Sequence, residues 1–530
     1  MADCIQDKEQ LVNNLLTPSS FNHEVKRIEL IETHISWIIL TGIYAYKIKK
    51  PVDLGFLDFS TLEKRRYYCY EELRLNRRTA AELYLDVIPI NGSLQSPVLD
   101  GTGKPLEWAL KMHQFDNRNQ LDVLLDQHSV NGQQLDTLAD TISVFHGHAE
   151  RLDLTEEYGS ARQIYEPVML NYDHLLKNHP DDAYRNTVLR IKKWHQREFD
   201  NLSAEFEQRR QTGFIRECHG DLHSRNITFY HDRPVLFDCI EFDPGLRWID
   251  TVNDLAFLVM DCWEKGYTGT TFRILNRYLE NTGDYRSVKL LPFYIIYRAM
   301  VRAKVACIAH SQAVSSGDTD RAQQMIREMN QYIGFSLQLI EPSTPPQLII
   351  THGLSGSGKT MITRELIEML PAIRIRSDVE RKRNFDEQHH VDNNQSIDQG
   401  LYSPSISHGT YQYLADMTAV MLNAGFSVVV DAAFLHHEQR RRFKNVAAAH
   451  SARFTILSFY APVSLLEQWI TKRQQEKQDA SDADITVLRH QIESQEPLDD
   501  NESATACFVD TSQDVNIAEL ASRLNTFTVS

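Results

Sequence analysis

The spacing of apolar positions divides the chain into two regions of different architecture. In the first, alternation of apolar and polar residues predicts three consecutive strands at 27–33, 35–41 and 43–50, the last two meeting at Thr41-Gly42. A polar, helix-compatible run covers 62–81, and a strand pattern returns at 85–90. Residues 91–105 are rich in Gly, Pro and Asn and read as a turn region leading into a strand at Glu107–His113. Helical spacing then dominates to about residue 340, interrupted at 214–243 by short β segments. Glu341-Pro342-Ser343-Thr344-Pro345-Pro346 stops any helix and favours an extended linker. Beyond it, strand patterns at 347–351, 372–376, 426–431 and 454–460 alternate with helical stretches, one of them at 408–423. That alternation predicts a parallel sheet with crossover helices.

A chain of 530 residues is too long for one ordinary domain. The proline-rich segment sets the expected division: 1–342, with a small lobe at about 1–113 and a large lobe at about 114–342, followed by 347–530. Hydrophobic residues make up 42% and charged residues 24%, a globular composition. The net charge of −16 argues against a nucleic-acid coat or an anionic membrane surface as partner, while leaving room for a local basic pocket. Cysteines at 4, 69, 218, 239, 262, 307 and 507 form no CxxC pair, so buried free thiols in a reducing compartment are expected. With no apolar signal core and no bilayer-length apolar run, the expected location is cytoplasmic.

Candidate chemistry is concentrated at two places. Gly353-Leu354-Ser355-Gly356-Ser357-Gly358-Lys359-Thr360 is a complete P-loop between an apolar strand and a helix-compatible run at 361–370. Backbone N–H groups of Gly353, Ser355, Gly356, Ser357 and Gly358 would cradle the phosphates of ATP at a helix N-terminus. Lys359 would reach the β/γ-phosphates, and Thr360 would ligate Mg²⁺. In Arg376-Ser377-Asp378-Val379-Glu380-Arg381, Asp378 suits the acceptance of a hydroxyl proton and Arg381 an acceptor's phosphate. The same residues also read as an exposed helix start with Asp378 as N-cap. Asp431 ends an apolar strand, either on Mg²⁺ through water or as an ordinary turn residue. Lys472 and Arg473 fit a phosphate-closing lid or a solvated helix face, and Arg440-Arg441-Arg442 a polyanion contact or another such face.

The other place is His219-Gly220-Asp221-Leu222-His223-Ser224-Arg225-Asn226. Asp221 and Asn226 have the spacing of a kinase catalytic loop, where an Asp orients and deprotonates the acceptor hydroxyl and an Asn binds metal. Val235-Leu236-Phe237-Asp238 delivers Asp238 as a second Mg²⁺ ligand. In Tyr44-Ala45-Tyr46-Lys47, Lys47 is the phosphate-binding lysine, with Lys49 its rival on the same strand face. The lysine's partner comes from the following helix, Glu72 ahead of Glu71.

Residues 25–340 resemble the aminoglycoside phosphotransferase family. His219-Gly220-Asp221-Leu222-His223 matches its His-Gly-Asp loop, Asp238-Cys239-Ile240-Glu241 its Ile-Asp-Trp-Glu segment, and Asp254-Leu255-Ala256 its Asp-Leu-Ala helix start. Residues 347–500 resemble small P-loop kinases, such as polynucleotide 5′-kinases, zeta-type toxins and gluconate-kinase-like enzymes, through the P-loop, Asp378/Arg381 and Asp431. The whole chain resembles bacterial bifunctional aminoglycoside phosphotransferase/ATP-binding proteins, as do 45–60 and 239–258. These resemblances imply an α/β and α+β chain: a bilobal protein-kinase-like domain followed by a P-loop NTPase domain with a parallel sheet. They also imply two sites that transfer the ATP γ-phosphate to hydroxyl acceptors, small-molecule or nucleotide-like, with a 5′-hydroxyl oligonucleotide among the candidates. In the alternative, the P-loop half is a regulatory ATPase controlling a kinase-like domain that modifies or only binds its ligand. One departure stands out: the loop at 32–36 lacks the glycines that let a lid approach phosphates closely.

Overall fold

The computed structural model describes residues 5–55, 57–388, 404–476 and 484–526. It falls into two compact units, Met1–Val168 with Asn201–Leu258, and Met169–Asp200 with Val259–Ser530.

The first unit opens with a six-stranded antiparallel sheet. Its strands are β1 (Glu29–Glu32), β2 (Ser36–Leu40), β3 (Tyr44–Lys49), β4 (Tyr84–Ser93), β5 (Ser96–Leu99) and β6 (Glu107–His113), in the order β1-β2-β3-β6-β4-β5. Strand alternation sorts the side chains of β3 between the two faces. Tyr46 and Ile48 pack with Trp37 and Ile39 against Leu11, Val12 and Leu15 of the helix Ile5–Leu15. Lys47 and Lys49 face the opposite way, toward the helix Leu62–Ala80, which Thr61 caps by accepting from the Lys64 N–H. Two short ladders follow. β7 (Ile215–Glu217) pairs with β10 (Trp248–Asp250), and β8 (Ile227–Tyr230) forms a hairpin with β9 (Arg233–Leu236).

Two features of this unit differ from the sequence expectation. The helix Ile5–Leu15 was hidden because its apolar stripe is only three buried residues wide among polar ones. Residues 91–105 hold more than turns: β4 runs on to Ser93 and pairs with β5, from Ile90↔Leu99 to Ser93↔Ser96. Its Gly, Pro and Asn content masked a short hairpin.

The second unit is built on a parallel sheet of β11 (Gln347–His352), β12 (Ala372–Arg376), β13 (Ser427–Asp431), β14 (Arg453–Tyr460) and β15 (Ala506–Asp510). The order is β12-β13-β11-β14-β15, so the strand feeding the P-loop is central. Leu348, Ile349 and Ile350 are all buried, as are Val428, Val429 and Val430, because helices cover both faces of such a sheet. Ile349, Val429 and Leu457 pack with Ile362 and Leu366 of the helix Lys359–Met369 and with Leu520 and Leu524 of the helix Ile517–Thr526. β15 went unanticipated, since a five-residue apolar run carries too little periodicity to distinguish strand from helix. The helices Thr268–Thr282, Leu291–Ser316 and Thr319–Ile340 belong to the same unit. No helix among the described residues is long and apolar enough to cross a membrane. Six of the cysteines are buried free thiols; Cys4 lies outside the described residues.

Candidate active sites

In the first unit, Lys47 Nζ lies 2.7 Å from Glu72 Oε1 and 2.5 Å from Asp238 Oδ1. Lys49 Nζ takes the other Glu72 oxygen at 2.6 Å and also pairs with Glu241. The two lysines are therefore partners around one carboxylate, on which the helix Leu62–Ala80 and strand β3 converge. Glu71 points elsewhere, to Arg74 at 2.7 Å and Arg247 at 2.8 Å. Glu72 is fully buried, which by itself would raise its pKa, but the two ammonium groups hold its carboxyl down at about 2. Burial would lower the pKa of Lys47, and the carboxylates of Asp238 and Glu72 raise it well above the ordinary value instead.

The His-Gly-Asp loop is fixed from beneath by Asp254, a residue with no exposed surface. Its Oδ2 accepts from the His219 N–H at 3.0 Å and its Oδ1 from the Gly220 N–H at 2.8 Å, while His146 Nε2 lies 3.0 Å from Oδ2. Gly220 has φ +85°, and a Cβ there would stand 2.8 Å from the Leu246 carbonyl oxygen, so the tight loop requires glycine. Asn226 Nδ2 donates to Asp221 Oδ2 at 3.0 Å, and His223 Nε2 lies 3.3 Å from the same oxygen. The β8–β9 hairpin brings the remaining acid alongside. Ile227 pairs with Leu236, and the Phe237 N–H donates to the Asn226 carbonyl at 3.0 Å, so Asn226 and Asp238 flank the open end of one ladder. Asp238 has φ +64°, a left-handed conformation that Asp tolerates better than most residues.

In the second unit, a cavity of about 840 Å³ is lined by the loop residues Ser355–Thr360 and by Asp378, Arg381, Asp431 and Arg473. Gly353 has φ +146°, and a Cβ would come within 2.6 Å of the Phe459 carbonyl oxygen, so the loop can leave β11 only through glycine. Lys359 Nζ lies across the loop, donating to the carbonyls of Gly353 at 2.8 Å and Leu354 at 2.7 Å. Burial lowers its pKa to about 8 despite nearby Asp431 and Asp378. Asp378 sits in the first turn of the helix Ser377–Gln388, with Arg381 Nη1 donating to its Oδ1 at 2.9 Å. Asp431, at the end of β13, has its Oδ2 3.3 Å from Thr363 Oγ1. Of the Arg440–Arg442 triplet, Arg440 is buried and holds Glu502, whereas Arg442 lines the cavity.

Both places offer the hard oxygen donors that Mg²⁺ takes. Asn226 spends its amide N–H on Asp221, which leaves its Oδ1 for a cation beside the Asp238 carboxylate. The Thr360 hydroxyl and the Asp431 carboxylate supply the same chemistry in the other cavity.

Several residues here act in ways the sequence did not assign to them. Glu241 and Lys49 complete the buried charge cluster, Asp254 anchors the catalytic-type loop, and Arg374, Arg376 and Glu280 stand behind the P-loop. One signal was available: Arg374 and Arg376 alternate with isoleucines in a buried strand, and a buried arginine demands a carboxylate.

The AAA domain family matches residues 348–498. Among solved structures, the GDP and kanamycin complex of an aminoglycoside phosphotransferase, APH(2″)-IIIa, aligns at 10% identity over 61% of this chain and 98% of its own, with a TM-score of 0.36. A choline/ethanolamine kinase family protein from Mesorhizobium loti aligns at 10% identity over 63% of this chain and 100% of its own, TM-score 0.36. The APS kinase CysC of Mycobacterium tuberculosis aligns at 18% identity over 34% of this chain and 97% of its own, TM-score 0.25. The relationship across the length of the chain is closer. Uncharacterized protein Rv2004c of M. tuberculosis H37Rv is 30% identical over 430 residues, 80% of this chain and 82% of that one, and a Mycobacterium bovis counterpart, Mb2027c, matches equally. The chain belongs to the family of these uncharacterized mycobacterial proteins.

Proposed function

We propose that the protein is an ATP-dependent phosphotransferase with two kinase-type sites, one in an aminoglycoside-phosphotransferase-like domain (1–342) and one in a P-loop kinase domain (347–530). The observation that carries this reading is the single cavity in which the P-loop, Asp378 with Arg381, and Asp431 face one another. A carboxylate poised across from a phosphate cradle suits an acceptor hydroxyl better than simple ATP hydrolysis does.

At the P-loop site, the loop amides and Lys359 hold the β- and γ-phosphates. Asp378 accepts the acceptor's hydroxyl proton as the oxygen bonds to the γ-phosphorus and the bond to the ADP β-phosphate oxygen breaks. Arg381, paired with Asp378, orients that carboxylate and binds an anionic group on the acceptor. In the first unit, Asp221 is the base, Asn226 orients it, and Lys47, steadied by Glu72, anchors the nucleotide phosphates. Thr360 and Asp431 in one site, and Asn226 and Asp238 in the other, would hold Mg²⁺, which would supply charge neutralisation of the phosphates. Both sites work by positioning and charge.

The test is ADP release by the full chain with sugars, nucleosides, 5′-hydroxyl oligonucleotides and aminoglycosides as acceptors. Asp378→Ala should cut turnover of one acceptor by about 100-fold or more, and Asp221→Ala that of another. ATP hydrolysis that needs no acceptor and survives Asp378→Ala would instead make the P-loop half a regulatory ATPase.

A further inference from the structure

The helix Thr268–Thr282 lies outside the residues matched by the AAA domain, yet within the second unit it meets the P-loop fold along one edge. At its end, Glu280 is a fork between two arginines of β12. Its Oε2 lies 3.3 Å from Arg374 Nη2 and its Oε1 3.0 Å from Arg376 Nη1. Positions i and i+2 of a strand share a face, so one carboxylate can serve both guanidinium groups. The Glu280 backbone carbonyl also accepts from Arg383, on the helix that carries Asp378 and Arg381.

Both arginines lead into the nucleotide site. Arg374 Nη1 donates to the Thr360 carbonyl at 3.2 Å and lies 3.4 Å from Thr363 Oγ1, whose hydroxyl meets Asp431. Arg376 lines the cavity, with its Nε 3.9 Å from Asp431 Oδ2. Arg374 is 7% exposed and its Nε has no hydrogen-bond partner, so its two Nη groups alone fix where it sits. A buried guanidinium deprived of its carboxylate must move or draw in water.

We infer that Glu280 is a positioning residue of the P-loop site: through Arg374 and Arg376 it sets the placement of Thr360 and Asp431, so the site is complete only with a helix from outside the AAA-type domain. This rests on the reading of Thr360 and Asp431 as the residues that bind ATP·Mg²⁺. Alignment imposed by groups behind the metal-binding residues typically governs metal affinity by 10- to 100-fold, on the order of the effect expected here.

The experiment measures binding of a fluorescent ATP analogue to the full chain with and without Mg²⁺, taking as the P-loop signal the component that Lys359→Ala abolishes. Glu280→Gln should weaken Mg²⁺-dependent binding by about tenfold or more while Mg²⁺-free binding changes less than about twofold. Glu280→Asp, which keeps the charge and loses one methylene, should fall between. Arg273→Ala removes a different ion pair of the same helix, to Glu368, so it should leave both affinities within about twofold. Wild-type Mg²⁺ dependence in Glu280→Gln, or the same loss in Arg273→Ala, overturns the inference. Should Glu280→Gln fail to fold, undiminished Mg²⁺ dependence in Glu280→Asp overturns it equally. If Lys359→Ala abolishes no binding component, the reading of the P-loop itself fails, a distinct result.

Discussion

At the residue scale, the protonation of Lys359 is the most directly testable feature. Burial brings its pKa to about 8, so below that pH the free protein already carries the positive charge that phosphates need. Above it, binding must take up a proton. Nucleotide affinity at the P-loop should therefore hold steady below pH 8 and fall by up to about tenfold per unit above it, until the pKa of the bound state is reached. Lys359→Arg, permanently charged, should give a flat profile in the same titration by calorimetry. A wild-type profile that stays flat to pH 10, about two units above the free value, would show that Lys359 is not buried as described. The sequence motifs singled out Asp221 and Lys359, and narrowed the buried lysine–carboxylate pair to Lys47 or Lys49 with Glu72 or Glu71, between which the structure shows both lysines on Glu72. Glu280 was not singled out. In sequence it is one more acid on an amphipathic helix, and only the packing of that helix against β12 gives it two arginines.

At the element scale, the His-Gly-Asp loop owes its shape to both oxygens of one carboxylate, Asp254. Asp254→Asn leaves one acceptor oxygen for two amides, and an unsatisfied buried N–H costs about 1–3 kcal/mol. Faster amide hydrogen exchange at His219 and Gly220 is expected, together with a drop of about 100-fold in turnover at the first site, as misplacement of a catalytic group produces. Unchanged exchange at both amides would mean that the loop holds its shape without Asp254. Most strands of both sheets, and the helices expected at 62–81, 361–370 and 408–423, lie within a few residues of where apolar spacing put them, while the helices between 114 and 340 were expected only as a helical region. What spacing missed was short or atypical: a helix with three buried positions, a hairpin inside a turn-rich segment, and an edge strand of five residues. Each contributes too few apolar positions to establish a period, and each is fixed by what it packs against.

At the scale of the whole molecule, the two proposed sites predict two bound nucleotides per chain, held unequally. The β1–β2 turn has no glycine, and the amides flanking its tip are engaged: the Thr33 N–H donates to the Ser36 carbonyl at 2.9 Å and the Ser36 N–H to Thr33 Oγ1 at 3.0 Å. Without glycines that let the backbone approach phosphates closely, the first site should be the weaker one. Native mass spectrometry at saturating ATP should count two nucleotides, falling to one in Lys359→Ala and to one in Lys47→Ala. A wild-type count of one would remove one site from the scheme, and the variants would show which.

The helix behind the P-loop has a further consequence, for how copies of the protein avoid one another. β12 is the outer strand of its sheet, a position where unpaired backbone groups invite strands from other molecules. Here side chains stand in for a neighbouring strand. Asn276 Nδ2 donates to the Ala372 carbonyl and its Oδ1 accepts from the Arg374 N–H, while the Tyr285 hydroxyl donates to the Arg374 carbonyl. The segment that steadies the nucleotide site thereby also blunts an adhesive edge. A fragment cut at the proline-rich linker would lose this guard and present β12 as a template for aggregation.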